Sequence, residues 1–204
     1  MADLIMHSQL LLVEGEDESN FIKAILSRLQ LHEKIGIEVV GGKDKFKQMI
    51  PALVARTGFR SKVKVLGIIR DSDTNRQAAF QSIQTILKNN NLPAPKNDGE
   101  FMIVDNLSVG VYLMPFSSEN GMLEDLCLKT VSNHPAMDCV EGFIQCVATL
   151  DIDQPKNLAK AKSHVFLAAM PEIVSSVGVA ALKGYWNLAH DSMSELNDFL
   201  LKFE

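Results

Sequence analysis

The sequence predicts an α/β protein with a central, mostly parallel sheet and a C-terminal helical extension. Short apolar runs of four to seven residues, typical of buried strands, alternate with longer segments in which apolar residues recur every three or four positions, as in amphipathic helices. After residue 131 only the helical periodicity continues. We therefore expect an α/β unit at residues 1–130 and helices at 131–204 that pack on the same core.

Five apolar runs are predicted to form strands, and helical segments separate the first three of them, as the crossover connections of a parallel sheet require. The runs are residues 9–13, 35–40, 63–69, 101–104 and 109–114. The segment 43–55 has a helical pattern, but Pro51 is expected to kink it or to begin a separate helix there. Residues 158–170 and 193–203 are predicted as helices of the extension.

Composition limits the class of protein. The 204 residues are 47% apolar and 22% charged, and no apolar stretch approaches the roughly 20 residues of a membrane span, which predicts a soluble globular chain with no membrane partner. The three cysteines, Cys127, Cys139 and Cys146, form no CxxC pair, which argues against a zinc site. We expect them to be reduced core residues of a cytoplasmic protein.

The charge distribution is uneven. The net charge of −5 argues against nucleic-acid binding over the whole surface, yet the segment 43–64 carries seven basic residues and one acid. This basic segment either guides a phosphate backbone, through residues such as Lys43 and Lys45, or forms a solvated helical face. In Gly41-Gly42-Lys43, an ordinary turn is favoured over a phosphate-binding loop, because the full GxxxxGK[ST] pattern is missing.

Carboxylates stand where two of the predicted strands end. Glu14 follows the first strand, and Asp71 and Asp73 follow the third. The carboxyl ends of parallel strands share one edge, so these acids are expected to converge and to bind a hard cation, Mg²⁺ or Mn²⁺. In an extended segment, Asp71 and Asp73 would point the same way. The alternative is that these acids only cap the helices that follow.

These residues carry a resemblance. Val13-Glu14-Gly15-x-x-Glu18, followed by the segment 67–73 that ends in Asp71-Ser72-Asp73, resembles the toprim signature of topoisomerases, bacterial primases and the nucleases of the overcoming-lysogenization-defect (OLD) family. The segments 121–126 and 160–162 resemble a small toprim-like family related to the OLD nucleases. The resemblance implies a toprim (Rossmann-like) fold, Mg²⁺ binding and phosphodiester chemistry.

The resemblance also implies a role for each matching residue. Glu14 would be a metal ligand or general base, and Asp71 and Asp73 would be the metal-binding pair. Glu18 would be the second acid of the EGxxE pattern, and Glu124 would be a further ligand in an arrangement where two metal ions are expected. Lys162 or Lys160 would be the lysine that stabilises charge on the phosphate. Two features depart from the pattern. Arg70 stands where an apolar residue is common, and no ATPase motif is present, which implies a partner protein such as an ATPase.

Three functions follow as hypotheses. The first is a Mg²⁺-dependent phosphodiester or phosphoryl hydrolase, a toprim-type nuclease that acts on nucleic acid or a nucleotide through two metal ions. The second is a non-catalytic module that binds a metal or nucleotide to regulate a partner. The third, less favoured, is a haloacid-dehalogenase-like phosphatase with Asp71 as nucleophile. A topoisomerase is disfavoured because Tyr112 and Tyr185 are expected to be packing residues.

Overall fold

A five-stranded sheet forms the centre of the molecule. The computed structural model describes residues 4–115 and 120–203. The strands are β1 (Gln9–Val13), β2 (Ile35–Val39), β3 (Val65–Asp71), β4 (Phe101–Val104) and β5 (Leu107–Met114), in the order β2-β1-β3-β5-β4. Every neighbouring pair is parallel except β4 with β5, which form an antiparallel hairpin at one edge. The prediction of a mostly parallel, Rossmann-like α/β sheet is confirmed.

Helices cover both faces of the sheet. They are α1 (Glu16–Arg28), α2 (Phe46–Ala55), α3 (Phe59–Lys62), α4 (Arg76–Asn89), α5 (Leu123–Thr130), α6 (Ala136–Ala148), α7 (Leu158–Ala168), α8 (Val177–Leu182) and α9 (Ser194–Leu201). Short 3₁₀ turns precede α2 and α9, at Lys43–Lys45 and Asp191–Met193. The helix α2 continues through Pro51, so the expectation of a separate helix beginning there is wrong, and the buried side chains of Phe46, Ile50 and Leu53 hold α2 on the sheet. The short helices α3 and α8 were not predicted.

The strands divide their apolar side chains between two cores. In β1, Leu11 and Val13 belong to a core with α1 and α5–α9, whereas Leu10 and Leu12 belong to a core with α2–α4. This alternation follows from the pleat, because successive side chains of a strand point to opposite faces. We call the side of α1 and α5–α9 the first face of the sheet and the side of α2–α4 the second face.

The C-terminal helices pack on the first face beside the N-terminal part of the chain. Gln9 Nε2 donates a hydrogen bond of 2.6 Å to the carbonyl of Phe203. The helices α1 and α8 touch so closely that a Cβ on Gly178 would stand 2.3 Å from the carbonyl oxygen of Asp17. The Asp17 carboxylate accepts hydrogen bonds from Ser176 Oγ and, at 3.0 Å, from Gly178 N. The boundary at residue 130 stays a prediction, although both parts contribute to one apolar core.

Some surface features differ from expectation. Only Cys127 is buried, and Cys139 and Cys146 lie exposed on α6, so the expectation of three core cysteines is wrong for two of them. Tyr112 is a buried packing residue, as predicted, and its hydroxyl donates to the Pro115 carbonyl at 3.2 Å. Of the helices within residues 4–115 and 120–203, none combines the length and the apolar character needed to cross a bilayer.

Candidate functional site

The carboxyl edge of β1 and β3 is the topological switch point of the sheet. The chain continues from β1 to β2 on one side and then returns to β3 on the other side of β1. Such a point opens a crevice where α/β sheets bind ligands. Glu14 directly follows β1, and Asp71 is the last residue of β3. Val13 pairs with Ile69, and this register brings Glu14 beside Arg70.

Three acids meet on the first face, and we call them the acidic half of the site: Asp71, Glu18 and Glu124. Burial raises the pKa of the Asp71 carboxyl well above its ordinary value, and the nearby carboxylates of Glu18, Glu14 and Glu124 raise it further. One Asp71 oxygen, Oδ1, accepts a hydrogen bond of 3.0 Å from the N–H of Leu123, the first residue of α5. Asp71 therefore does cap a helix, and it also lies at the centre of an acid cluster.

The other two acids of this half come from the first turns of helices. Glu18 belongs to α1 and Glu124 to α5, positions where the helix dipole favours negative charge. Burial is the main cause that raises the pKa of each carboxyl. Glu18 folds back over Gly15, where an added Cβ would stand 2.8 Å from Glu18 Oε2. The Nζ of Lys160 lies 3.8 Å from Glu124 Oε1.

Three other residues form what we call the ion-paired half, on the second face: Asp73, Arg70 and Lys43. Asp73 Oδ2 lies 3.0 Å from Lys43 Nζ and 3.6 Å from a terminal nitrogen of Arg70. The Arg70 side chain is buried, donates from Nε to the Asp71 carbonyl at 3.1 Å, and lies over the ring of Phe46 at 5.9 Å. The negative charge in this half is already matched by protein cations.

The expectation of an extended Asp71-Ser72-Asp73 segment is wrong. Asp73 has a φ of +53°, in the left-handed region, and its N–H donates to the carbonyl of Gly121 at 2.8 Å. The chain turns after β3, so the two aspartates point into different halves of the site although both line the same cleft. Asp tolerates the left-handed conformation better than most residues, which explains how the turn is formed without glycine.

Glu14 lies between the two halves. Burial raises the pKa of its carboxyl, and the charge of Arg70 opposes that effect most strongly. Glu14 Oε2 is buried and has no hydrogen-bond partner among the residues that the structure describes. The Glu14 carbonyl accepts hydrogen bonds from Gly41 N at 2.8 Å and Gly42 N at 2.9 Å, and both glycines have positive φ. These amides serve the turn, as the sequence favoured, and do not face a phosphate.

An open cleft of about 390 Å³ contains most of the predicted site residues. Its lining includes Glu14, Asp71, Asp73, Lys43, Lys45 and Lys160. Glu18, Glu124 and Lys162 are not part of this lining. The Nζ of Lys162 instead binds Glu141 Oε1 on α6 at 2.6 Å. Residues two apart on a helix point about 200° away from each other, so α7 can turn only one of its two lysines toward the cleft.

The carboxylate oxygens near the cleft are the type of ligand that a hard divalent cation binds, but the side chains would have to move closer together to hold one. All four candidate ligands, Glu14, Glu18, Asp71 and Glu124, offer oxygen, which Mg²⁺ and Mn²⁺ prefer. The unpartnered, buried Glu14 Oε2 is an atom that a cation would satisfy. As they stand, no three His, Cys, Asp or Glu side chains among residues 4–115 and 120–203 are close enough to hold an ion.

Much of the basic segment has a structural role. Arg56 binds Glu38 at 2.6 Å, Lys62 donates to the Ile5 carbonyl at 3.2 Å, and Arg60 donates to the carbonyl of Asn90 at 3.2 Å. The cationic part of the cleft lining is therefore restricted to Lys43, Lys45 and Lys160, all of them exposed.

Sequence reasoning missed the part that Arg70 plays. In the sequence, Arg70 was noted only as a departure from the toprim pattern. The signal was its position one residue before Asp71, but the consequence depends on the pairing of Val13 with Ile69, which the sequence does not display. Once that register is known, an arginine beside Glu14 at the sheet edge is expected.

Residues 8–204 match the family described as "Protein of unknown function (DUF3226)". The chain belongs to this family. No protein of curated function matches it. DUF3226 membership therefore identifies relatives without assigning a reaction.

Solved structures are similar over nearly the whole chain. The crystal structure of hypothetical protein PH0156 from Pyrococcus horikoshii OT3 is 17% identical, with a TM-score of 0.66, over 97% of this chain and 95% of that chain. This similarity shows a shared fold. The C-terminal region of the OLD protein of Xanthomonas campestris pv. campestris is 15% identical over 96% of this chain and 95% of that chain, with a TM-score of 0.49, too low to support further argument.

Proposed function

We propose that this protein is a Mg²⁺-dependent hydrolase of phosphodiester bonds, of the toprim type, that acts on nucleic acid or on a nucleotide. The position of Glu14 and Asp71 in one cleft, with Glu18 and Glu124 near enough to raise the pKa of Asp71, carries the proposal. These residues come from the ends of two strands and the first turns of two helices. Helix capping alone does not require this concentration of acidic groups near one buried carboxyl.

The energetics favour a cation at this cluster. Burial disfavours the charged form of a carboxyl, and each neighbouring carboxylate adds to that cost. Both effects raise the pKa of Asp71. A divalent ion would remove the repulsion and supply the partner that Glu14 Oε2 lacks. Sites that carry such a cost without a ligand are typical of functional centres.

The residues of the cleft suit hydrolysis of a phosphate ester. Asp71, Glu18, Glu124 and Glu14 would hold the ion. Mg²⁺, when bound, supplies polarisation of a phosphoryl oxygen and activation of water. In the alternative role that the resemblance implies, Glu14, whose pKa is raised by burial, would not hold the ion but would accept a proton from the attacking water. Lys160, together with Lys43 and Lys45, lines the cleft where it can contact the negative phosphate.

A regulatory binding module is the second candidate. The observation in its favour is that Lys162, one of the two lysines expected to stabilise the transition state, binds Glu141 away from the cleft. In that case the same carboxylates bind a metal or nucleotide and alter contact with a partner, for which an ATPase remains our proposal. The phosphatase alternative is weaker, because Glu14, Glu18 and Glu124 would repel a phosphate from a nucleophilic Asp71.

The test is cleavage of plasmid and single-stranded DNA or RNA, and of nucleotide diesters, with Mg²⁺ or Mn²⁺. We expect Asp71→Asn and Glu14→Gln each to reduce the rate at least about 100-fold, as loss of a ligand or base does. Exposed residues provide matched controls, and Asp151→Asn and Glu33→Gln should leave the rate unchanged.

Three outcomes separate the hypotheses. Metal-dependent cleavage that both site variants abolish supports the hydrolase. Loss of turnover in Asp71→Asn with Glu14→Gln still active indicates the phosphatase chemistry. Metal binding without cleavage of any substrate, also after a partner ATPase is added, contradicts the hydrolase and supports the regulatory module.

A further inference from the structure

The two halves of the site differ in how their charge is matched. The acidic half contains three carboxyl groups, and Lys160, whose side chain is 56% exposed, lies 3.8 Å from one of them, Glu124. The ion-paired half contains one carboxylate and two cations, both within 4 Å of Asp73 Oδ2. The difference has a physical origin, because strand alternation directs Arg70 to the second face and Asp71 to the first.

We infer that the site binds a single divalent cation, in the acidic half, and that Arg70 serves as a permanent second cation in place of a second metal ion. This inference rests on the proposed function and specifies how that site is loaded. Glu14, between the halves, would face the metal ion with one oxygen and the guanidinium with the other.

Arg70 is suited to a permanent role. It is only 5% exposed, and it is fixed by its hydrogen bond to the Asp71 carbonyl and by the ring of Phe46. Guanidinium remains protonated at every pH at which proteins are folded, so its charge cannot be lost by titration. Arg70 also stands beside Glu14 at the carboxyl edge of the sheet, because Val13 of β1 pairs with Ile69 of β3.

A second divalent ion meets a barrier in this half. To reach Asp73, the ion would have to displace Lys43 Nζ, which lies 3.0 Å from Asp73 Oδ2. It would also have to approach the guanidinium of Arg70, which cannot move away into water because the Arg70 side chain is buried. Repulsion between like charges at such distances is strong where water is partly excluded. Asp73 is therefore a partner of Arg70 and Lys43 and not a metal ligand.

Isothermal titration calorimetry with MnCl₂, on the full chain without nucleic acid, tests this inference. We expect the wild-type protein to bind one ion. Arg70→Gln should bind two, because Glu14 and Asp73 lose their permanent cation, whereas Arg70→Lys keeps the charge and should bind one. Asp73→Asn provides an independent variant if Arg70→Gln does not fold, and its dissociation constant should lie within about fivefold of wild type, since it loses only a partly exposed ion pair.

The outcomes distinguish this inference from the proposed function. Two ions bound by the wild-type protein, one ion bound by a folded Arg70→Gln, or a loss of more than about tenfold in affinity for Asp73→Asn would each overturn the single-ion inference while metal dependence stands. Absence of Mn²⁺ binding in the wild-type protein would overturn the proposed function and the inference with it.

Discussion

The acidic half and the ion-paired half lie at the same edge of the sheet but differ in how the charge of their buried groups is balanced. In the ion-paired half, the protein supplies its own cations, Arg70 and Lys43, to Asp73. In the acidic half, Asp71, Glu18 and Glu124 have raised pKa values, caused first by burial. The first arrangement contributes to the stability of the fold, whereas the second reduces it until a ligand arrives. Substitutions in the two halves should therefore change stability in opposite directions.

The largest effect is expected in the ion-paired half. Replacement of Arg70 by Met removes the buried cation beside Glu14 and the partly exposed Asp73 and should lower the free energy of unfolding by about 2 kcal/mol, between the values typical of exposed and of buried charge pairs. Urea denaturation of the metal-free protein measures this value. Arg60 is the matched control, because it is exposed and donates only to backbone carbonyls, so Arg60→Met should cost less than about 1 kcal/mol. Equal effects of the two variants would remove the distinction between the halves.

The opposite sign is expected in the acidic half. Asp71→Asn removes the central charge and should raise the free energy of unfolding of the metal-free protein by about 1 kcal/mol at pH 8. The same variant should lose the rise in melting temperature that Mg²⁺ gives the wild-type protein. A metal-free Asp71→Asn protein that is less stable than wild type would show that capping of α5 outweighs the charge repulsion.

The pH dependence gives a third comparison. A carboxyl whose pKa is raised by folding holds its proton more tightly in the folded state, so its contribution to stability is complete below the unfolded pKa of about 4 and is lost as pH rises through the folded pKa. The stability of Asp71→Asn relative to wild type should therefore be near zero at acid pH and increase toward pH 8. Denaturation of both proteins at several pH values, without metal, measures this difference. A constant difference would mean that Asp71 does not titrate abnormally.

The smallest effect concerns the glycine of the EGxxE pattern. A Cβ at Gly15 would stand 2.8 Å from Glu18 Oε2, the far end of a flexible side chain that can move aside. Gly15→Ala should leave stability within about 1 kcal/mol of wild type and weaken Mn²⁺ binding a few-fold, because Glu18 is displaced. Gly142 on α6 is the control, since a Cβ there meets nothing within 4 Å. Unchanged binding in Gly15→Ala would exclude Glu18 from the ligand set.

The sequence alone predicted the sheet and the meeting of Glu14 with Asp71, because both depend on local patterns and on the shared edge of parallel strands. It could not predict which face each side chain occupies after the strand ends. Asp73 turns away through a left-handed residue, and Arg70 meets Glu14 through a strand register that only the folded chain sets. The sequence could not distinguish the roles of Lys160 and Lys162, whereas in the helix only Lys160 faces the cleft.

The helix α8 shows a different limit. It has six residues, Val177–Leu182, too few to show the repeat of apolar residues that identifies a helix in a sequence. The helix α8 packs against α1. The Asp17 carboxylate accepts the N–H of Gly178 in its first turn. The local sequence around Gly178 cannot predict this contact, because Asp17 is 161 positions away.

The close approach of Gly178 to Asp17 also affects the order of assembly during synthesis. The helix α1 carries Glu18, and it emerges from the ribosome long before α8, against which it packs. Contacts between distant parts of a chain form only when both parts are available. The β1–β2–β3 region, with its Arg70 and Lys43, can pair and neutralise Asp73 early, whereas the three clustered carboxyls reach their final positions only after the later helices, α5 and α8, have been translated.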